Sequence, residues 1–140
     1  NEVAFCFTYG DGVGDINISD LISFHNKHGK KATLTATRPS ARYGALKLSP
    51  KNLVNQFEEK PEGEGSWING GFFVLHPSVL DYIKEDKTSW EDEPLINLSK
   101  DQELMAFKHN GFWMPMDTLR EKIILNNLWN TGNASWKTWE

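Results

Sequence analysis

The feature that most constrains this chain is an alternation near its start. Val3 to Thr8 is a short apolar run of β-formers, Tyr9-Gly10-Asp11-Gly12-Val13-Gly14-Asp15 is a glycine-punctuated loop, and Ile18, Leu21, Ile22 and His25 recur at helical spacing. Asn17 or Ser19 is placed to cap that helix, Gly29 to stop it, and Ala32 to Thr37 reads as the next strand. Strand, loop, helix and strand at this length predict parallel strands joined by a crossover, with the first strand buried. Ligands of such sheets sit beyond the carboxyl ends of the strands, where the Asp11 loop falls.

The rest of the chain carries shorter elements. Ala45 to Leu48 and Leu53 to Glu58 predict a hairpin around Ser49-Pro50-Lys51-Asn52, followed by a polar loop from Lys60 to Ser66. Trp67 to Leu75 is a strand interrupted by Gly70-Gly71, a pattern that marks a bulge or a close approach to a ligand. A helix is expected from Pro77 to Lys84, and another from Thr88 or Ser89 to about Ser99, opened by Thr88-Ser89-Trp90-Glu91 as a capping box. Leu104 to Lys108 and Phe112 to Met116 read as strands, and Thr118-Leu119-Arg120-Glu121 opens a last helix to about Thr131. No repeat, low-complexity tract or linker divides the chain, so residues 1–140 are expected to form a single domain.

Composition removes several classes of function. Hydrophobic residues at 39% and charged residues at 24% suit a soluble globular chain. A net charge of -4 gives no basic footprint for nucleic acid, and no stretch reaches the roughly 18 apolar residues of a membrane span. The single cysteine, Cys6, cannot form an internal disulfide and is expected to be a buried core residue in a cytoplasmic protein.

Four places hold residues suited to chemistry, each with a plainer alternative. Asp11 between glycines could offer a carboxylate to a metal or a phosphate-bearing ligand, or could be an ordinary Asp-Gly turn. Asp117 ends an apolar strand and precedes a helix, so it is either a ligand or an N-cap. Two such strand-end carboxylates, joined by phosphate oxygens, would suit magnesium. In Phe57-Glu58-Glu59-Lys60-Pro61 the proline biases Lys60 towards extended backbone, suiting an ammonium aimed at phosphate, and Glu59 could accept from sugar hydroxyls. The alternative is a strand end carrying both signs of charge. Asn69 beside Gly70 and Gly71 could set an amide against a sugar, or could face solvent from a bulge.

In order, the segments YGDG, YGAL, FEEKP, INGGFFVL, FWMPMDT and WKTWE resemble the glucose-1-phosphate cytidylyltransferases, a branch of the sugar-1-phosphate nucleotidylyltransferase family. The resemblance covers essentially the whole chain, and PMDTLREK and WKTWE point to the cytidylyl branch. It implies an α/β fold, a partial doubly wound, Rossmann-like mixed sheet of the nucleotide-diphospho-sugar transferase type, truncated at its N-terminus. It also implies Asp11 and Asp117 as Mg2+ ligands with a catalytic role, and Lys60 on the sugar phosphate. Glu59 matches the carboxylate that binds the sugar, while Gly44, Asn69 and Gly70 match positions lining the sugar pocket. No role is expected for Cys6 or the four histidines.

The family's opening glycine-rich L-x-G-G-x-G-T-R-L segment has no counterpart here. The expectation is therefore a sugar-phosphate and metal half, in a family that converts CTP and glucose 1-phosphate to CDP-glucose and pyrophosphate. Such a chain would be incomplete for catalysis alone and would take nucleoside triphosphate only if the other half were supplied. A non-catalytic sugar-phosphate-binding or oligomeric module is the alternative. A sheet missing its first strands would expose an edge, which predicts cover by another copy, a complementing chain or rearranged elements.

Overall fold

The computed structural model describes residues 3–38 and 67–139, and the backbone of 45–48 and 54–58. Among these, β1 (Phe5–Thr8), β6 (Ile68–Leu75), β3 (Ala32–Thr37) and β7 (Leu104–His109) form one sheet in the order β1-β6-β3-β7. β6 is antiparallel to both β1 and β3, and β3 is parallel to β7. β1 and β3 thus run the same way, but β6, which lies some thirty residues further along, is wedged between them. The glycine loop contributes a strand of its own, β2 (Gly12–Gly14), paired antiparallel with β8 (Trp113–Pro115). β4 (Ala45–Leu48) and β5 (Val54–Glu58) form the expected hairpin; its turn and the 60–66 loop lie outside the described residues.

Helices cover the four-stranded sheet on both faces, and β6 shows why. Phe73 and Leu75 point to one side, where Val79 of a 3-10 helix (Pro77–Tyr82) and Leu98 of α2 (Glu93–Lys100) bury them. Val74 points to the other side, against Leu21 of α1 (Ile18–His28) and Ile16. The period-2 alternation of a strand places successive side chains on opposite faces, so one apolar run serves two cores. α1 begins and ends as its sequence predicts. Asn17 accepts a hydrogen bond from the Asp20 amide at 3.1 Å, and Gly29 closes the helix with φ of 65°.

Four expectations are corrected. β1 is exposed along its length rather than buried, and Cys6 is an exposed thiol. The apolar run was a sound strand signal, but burial depends on what lies beyond it, and among the described residues β1 pairs only with β6. The helix expected from Thr88 starts at Glu93. Thr88 instead accepts from the Glu85 amide at 3.2 Å within a turn, and Pro94 occupies the first helical turn, where its missing N–H leaves no gap. The helix expected from Pro77 is a short 3-10 segment that ends when Ile83 turns extended. At the last helix, α3 (Leu119–Asn130), the capping box forms as predicted, with Thr118 Oγ1 accepting from the Glu121 amide.

Candidate functional site

The short β2–β8 ladder governs the geometry around the two aspartates. Gly12 faces Pro115, Val13 faces Met114 and Gly14 faces Trp113. One step beyond, the Met116 amide donates to the Asp11 carbonyl at 2.6 Å. Asp11 and Asp117, over a hundred residues apart in sequence, thereby lie just outside β2 and β8 at the same end of the ladder, one residue out of step. Both are exposed. The N-cap of α3 is Thr118, not Asp117, and Glu121 takes the amides of both residues at 2.8 Å. The Asp117 carboxylate is therefore not spent on capping.

Trp113 fastens this ladder to the main sheet, its indole N–H donating to the Gly70 carbonyl at 2.9 Å. That carbonyl belongs to a bulge, because β3–β6 pairing slips between Leu34 and Ala36, where Thr35 faces the stretch from Gly70 to Phe72. Gly70 is buried, and a Cβ there would stand 2.7 Å from Thr37 Cγ2, so its close approach is to β3. Gly71 has φ of 80°, and a Cβ there would meet the Tyr9 ring at 2.4 Å. The Asn69 side chain braces the bulge, accepting from the Gly71 amide at 2.9 Å and donating to the Tyr9 hydroxyl at 3.3 Å. One N–H of the Asn69 amide then remains for a ligand.

Tyr9, Gly10, Asp11 and Glu91 line an open cavity of about 390 Å³. Burial, opposed by the Asn69 donor and reinforced by the Glu91 carboxylate, pushes the Tyr9 phenol up to about 12. It is a neutral hydrogen-bonding group at physiological pH. The sequence reading missed Tyr9 and Glu91 as site residues. Tyr9 was legible as the residue ending the strand before Asp11, whereas Glu91 read locally as the end of a capping box that does not form, since the helix starts at Glu93. Asp117 is not among the residues lining this cavity. Gly44, Glu59 and Lys60 lie outside the described residues.

Two exposed carboxylates at one end of a two-stranded ladder are hard oxygen donors of the kind Mg2+ takes. No group of three or more metal-binding side chains occurs among the described residues, so a magnesium ion held here would complete its shell with water or phosphate oxygens.

A mixed sheet with helices on both faces and an acidic strand-end pair beside a cavity defines a class. The family model described as "Nucleotidyl transferase" matches residues 1–120, and the chain belongs to that family. It is 59% identical over its whole length to the glucose-1-phosphate cytidylyltransferase of Salmonella typhi, of which it covers 54%. It is 35% identical to the mannose-1-phosphate guanyltransferase of Saccharomyces cerevisiae, over 84% of this chain and 36% of that protein. The chain thus spans about half the length of the cytidylyltransferase it matches. Among solved structures it resembles HddC from Yersinia pseudotuberculosis, with a TM-score of 0.62 at 19% identity, covering 90% of this chain and 55% of that one. A Bacillus anthracis structure assigned to glucose-1-phosphate thymidylyltransferase gives a TM-score of 0.65 at 21% identity, over 100% of this chain and 57% of its own. The expected fold class and family resemblance therefore hold. No helix among the described residues is long and apolar enough to cross a membrane.

Proposed function

We propose that this chain supplies the acidic, sugar-phosphate-binding part of a nucleotidylyltransferase that joins CTP and glucose 1-phosphate into CDP-glucose and pyrophosphate. The observation that carries this reading is the backbone proximity of Asp11 and Asp117 through the Met116–Asp11 hydrogen bond of 2.6 Å, in a chain of this family. In the reaction, a phosphate oxygen of the sugar attacks the α-phosphorus of the triphosphate. A P–O bond forms there, and the bond to the leaving pyrophosphate breaks. Two anions must meet, so charge neutralisation and alignment supply most of the catalysis and no protein nucleophile is required. Mg2+, held by Asp11 and Asp117, would supply that neutralisation. Lys60 holds the attacking phosphate, and Glu59 accepts from sugar hydroxyls. The backbone at Gly44 and the Asn69-Gly70 segment line the sugar pocket, with the remaining Asn69 N–H as a donor. No L-x-G-G-x-G-T-R-L segment, the family's triphosphate cradle, occurs within residues 1–140.

Calorimetric titration with glucose 1-phosphate, CTP and Mg2+, singly and together, tests the reading. Glucose 1-phosphate is expected to bind with Mg2+ present, and binding is expected to weaken about tenfold or more in Asp11→Asn or Asp117→Asn. Retention of wild-type binding by both variants would remove the acids from the site.

A second reading is an interaction module, favoured by the edge of β1, open among the described residues, where Phe5 and Phe7 are 37% and 39% exposed. A second copy or a complementing chain would add a strand there. Glucose 1-phosphate binding without any CTP-dependent pyrophosphate release, even when a nucleotide-binding half is supplied, would favour this module over the enzyme.

A further inference from the structure

The β2–β8 ladder has only three residues on each strand. An isolated two-stranded ribbon is marginal at best, so something must hold it in register. At the end nearest the acids it is closed by the Met116–Asp11 hydrogen bond. At the opposite end the Asp15 amide donates to the Phe112 carbonyl at 3.2 Å. The same carbonyl lies 3.0 Å from His109 Nε2, and Asp15 Oδ1 is 3.0 Å from that nitrogen as well.

Both neighbours of His109 Nε2 are acceptors, which puts the ring proton on Nε2. The N–H is aligned with the Phe112 carbonyl. Asp15 Oδ1 is buried without an aligned hydrogen-bond donor and is held by proximity to the same N–H. The His109 side chain is only 10% exposed. Gly111 makes the arrangement sterically possible, since a Cβ there would stand 2.4 Å from Asp15 Oδ1 and 2.8 Å from His109 Cε1. His109 also ends β7, paired with Thr37 of β3 in the main sheet. The imidazole therefore joins the rigid sheet to both strands of the ladder at once.

We infer that Asp15 and His109 are a positioning pair: they clasp the far end of the β2–β8 ladder and so fix the spacing at which Asp11 and Asp117 can share a divalent cation. The role as regards the cation rests on the proposed function, whereas the clasp itself does not. The pair touches neither substrate nor metal and acts through the backbone register of the two strands.

The test uses this chain with His109→Leu and His109→Gln, because glutamine places an N–H near the position of Nε2. Amide hydrogen exchange is read as the Met116 rate relative to Val74, a buried core position, so that general loosening cancels. Manganese, as a paramagnetic stand-in for magnesium, is titrated in parallel, with Asp11→Asn as reference. His109→Leu is expected to raise the exchange ratio about tenfold and weaken Mn2+ binding about tenfold, with His109→Gln within about twofold of the parent on both. A ratio in His109→Leu within about twofold of the parent overturns the clasp, as does a glutamine variant that behaves like the leucine one. If Asp11→Asn leaves Mn2+ binding unchanged, the shared-cation reading fails, and the exchange ratio still decides the clasp.

Discussion

At the scale of single residues, buried His25 and half-buried His28 give the protein an acid-sensitive joint. His28 Nδ1 accepts from the Lys30 amide at 2.9 Å, so its proton is on Nε2, which donates to Thr33 Oγ1 at 2.6 Å. The Thr33 hydroxyl then donates to His25 Nδ1 at 2.9 Å. Burial, with His28 and His76 nearby, holds His25 below its ordinary value of 6.5, and burial, with Lys30 nearby, does the same to His28, Glu103 opposing. The unfolded chain thus binds protons more readily than the folded one. Stability from this network should be fully present above pH 6.5 and be lost as pH falls through the depressed folded values. Thermal melts between pH 7.5 and 5 check this. His25→Gln should flatten the acid limb, and an unchanged limb would rule the network out as its cause. Gly71→Ala belongs to the same scale. With φ of 80° and Tyr9 2.4 Å from the added carbon, it should cost about 1–3 kcal/mol in denaturant unfolding and disturb the Asn69 brace.

At the scale of elements, the loops that carry the candidate site are themselves strands or caps. The sequence read Gly10 to Gly14 as a loop, yet Gly12 to Gly14 pair with Trp113 to Pro115. Glycines carry no strand signal, and the partner lies about a hundred residues away, so no local pattern could announce the pairing. The α3 cap, by contrast, was fully legible, because Thr118 and Glu121 interact within one turn. Thr118→Ala should destabilise the protein by about 1 kcal/mol, measured by chemical unfolding. Because Glu121 also takes the Asp117 amide at 2.8 Å, the same change should loosen the Asp117 backbone, visible as faster amide exchange there. Exchange at Asp117 equal to that of the parent would mean that the cap and the acid are mechanically separate.

For the whole molecule, the edge at β1, unpaired on one side among the described residues, is the dominant feature. Phe5, Phe7 and Val3 are exposed beside it, and Cys6, Phe7, Ile18 and Phe72 help line an apolar cavity of about 230 Å³. An uncovered apolar edge strand invites another strand to pair with it. Association is therefore expected to depend on concentration in size-exclusion chromatography and to weaken in Phe5→Lys, which sets a charge on the edge. A parent chain that stays monomeric up to about 100 μM, well above micromolar affinity, would refute it.

The sequence by itself determined what is local: the helix of Ile18 to His28 with its caps, the strand at Ala32 to Thr37, an interruption at Gly70-Gly71 and the capping box at Thr118. Each depends on residues within a few positions, where side-chain period and backbone freedom act directly. It also singled out Asp11 and Asp117 as separate candidates. Only the tertiary structure decided that β6 separates β1 from β3, that Cys6 is exposed, and that Tyr9 and Glu91 share a cavity with Asp11. Those outcomes turn on which distant strand takes up a given edge. Burial and proximity are properties of the pair, and neither partner's own sequence contains them.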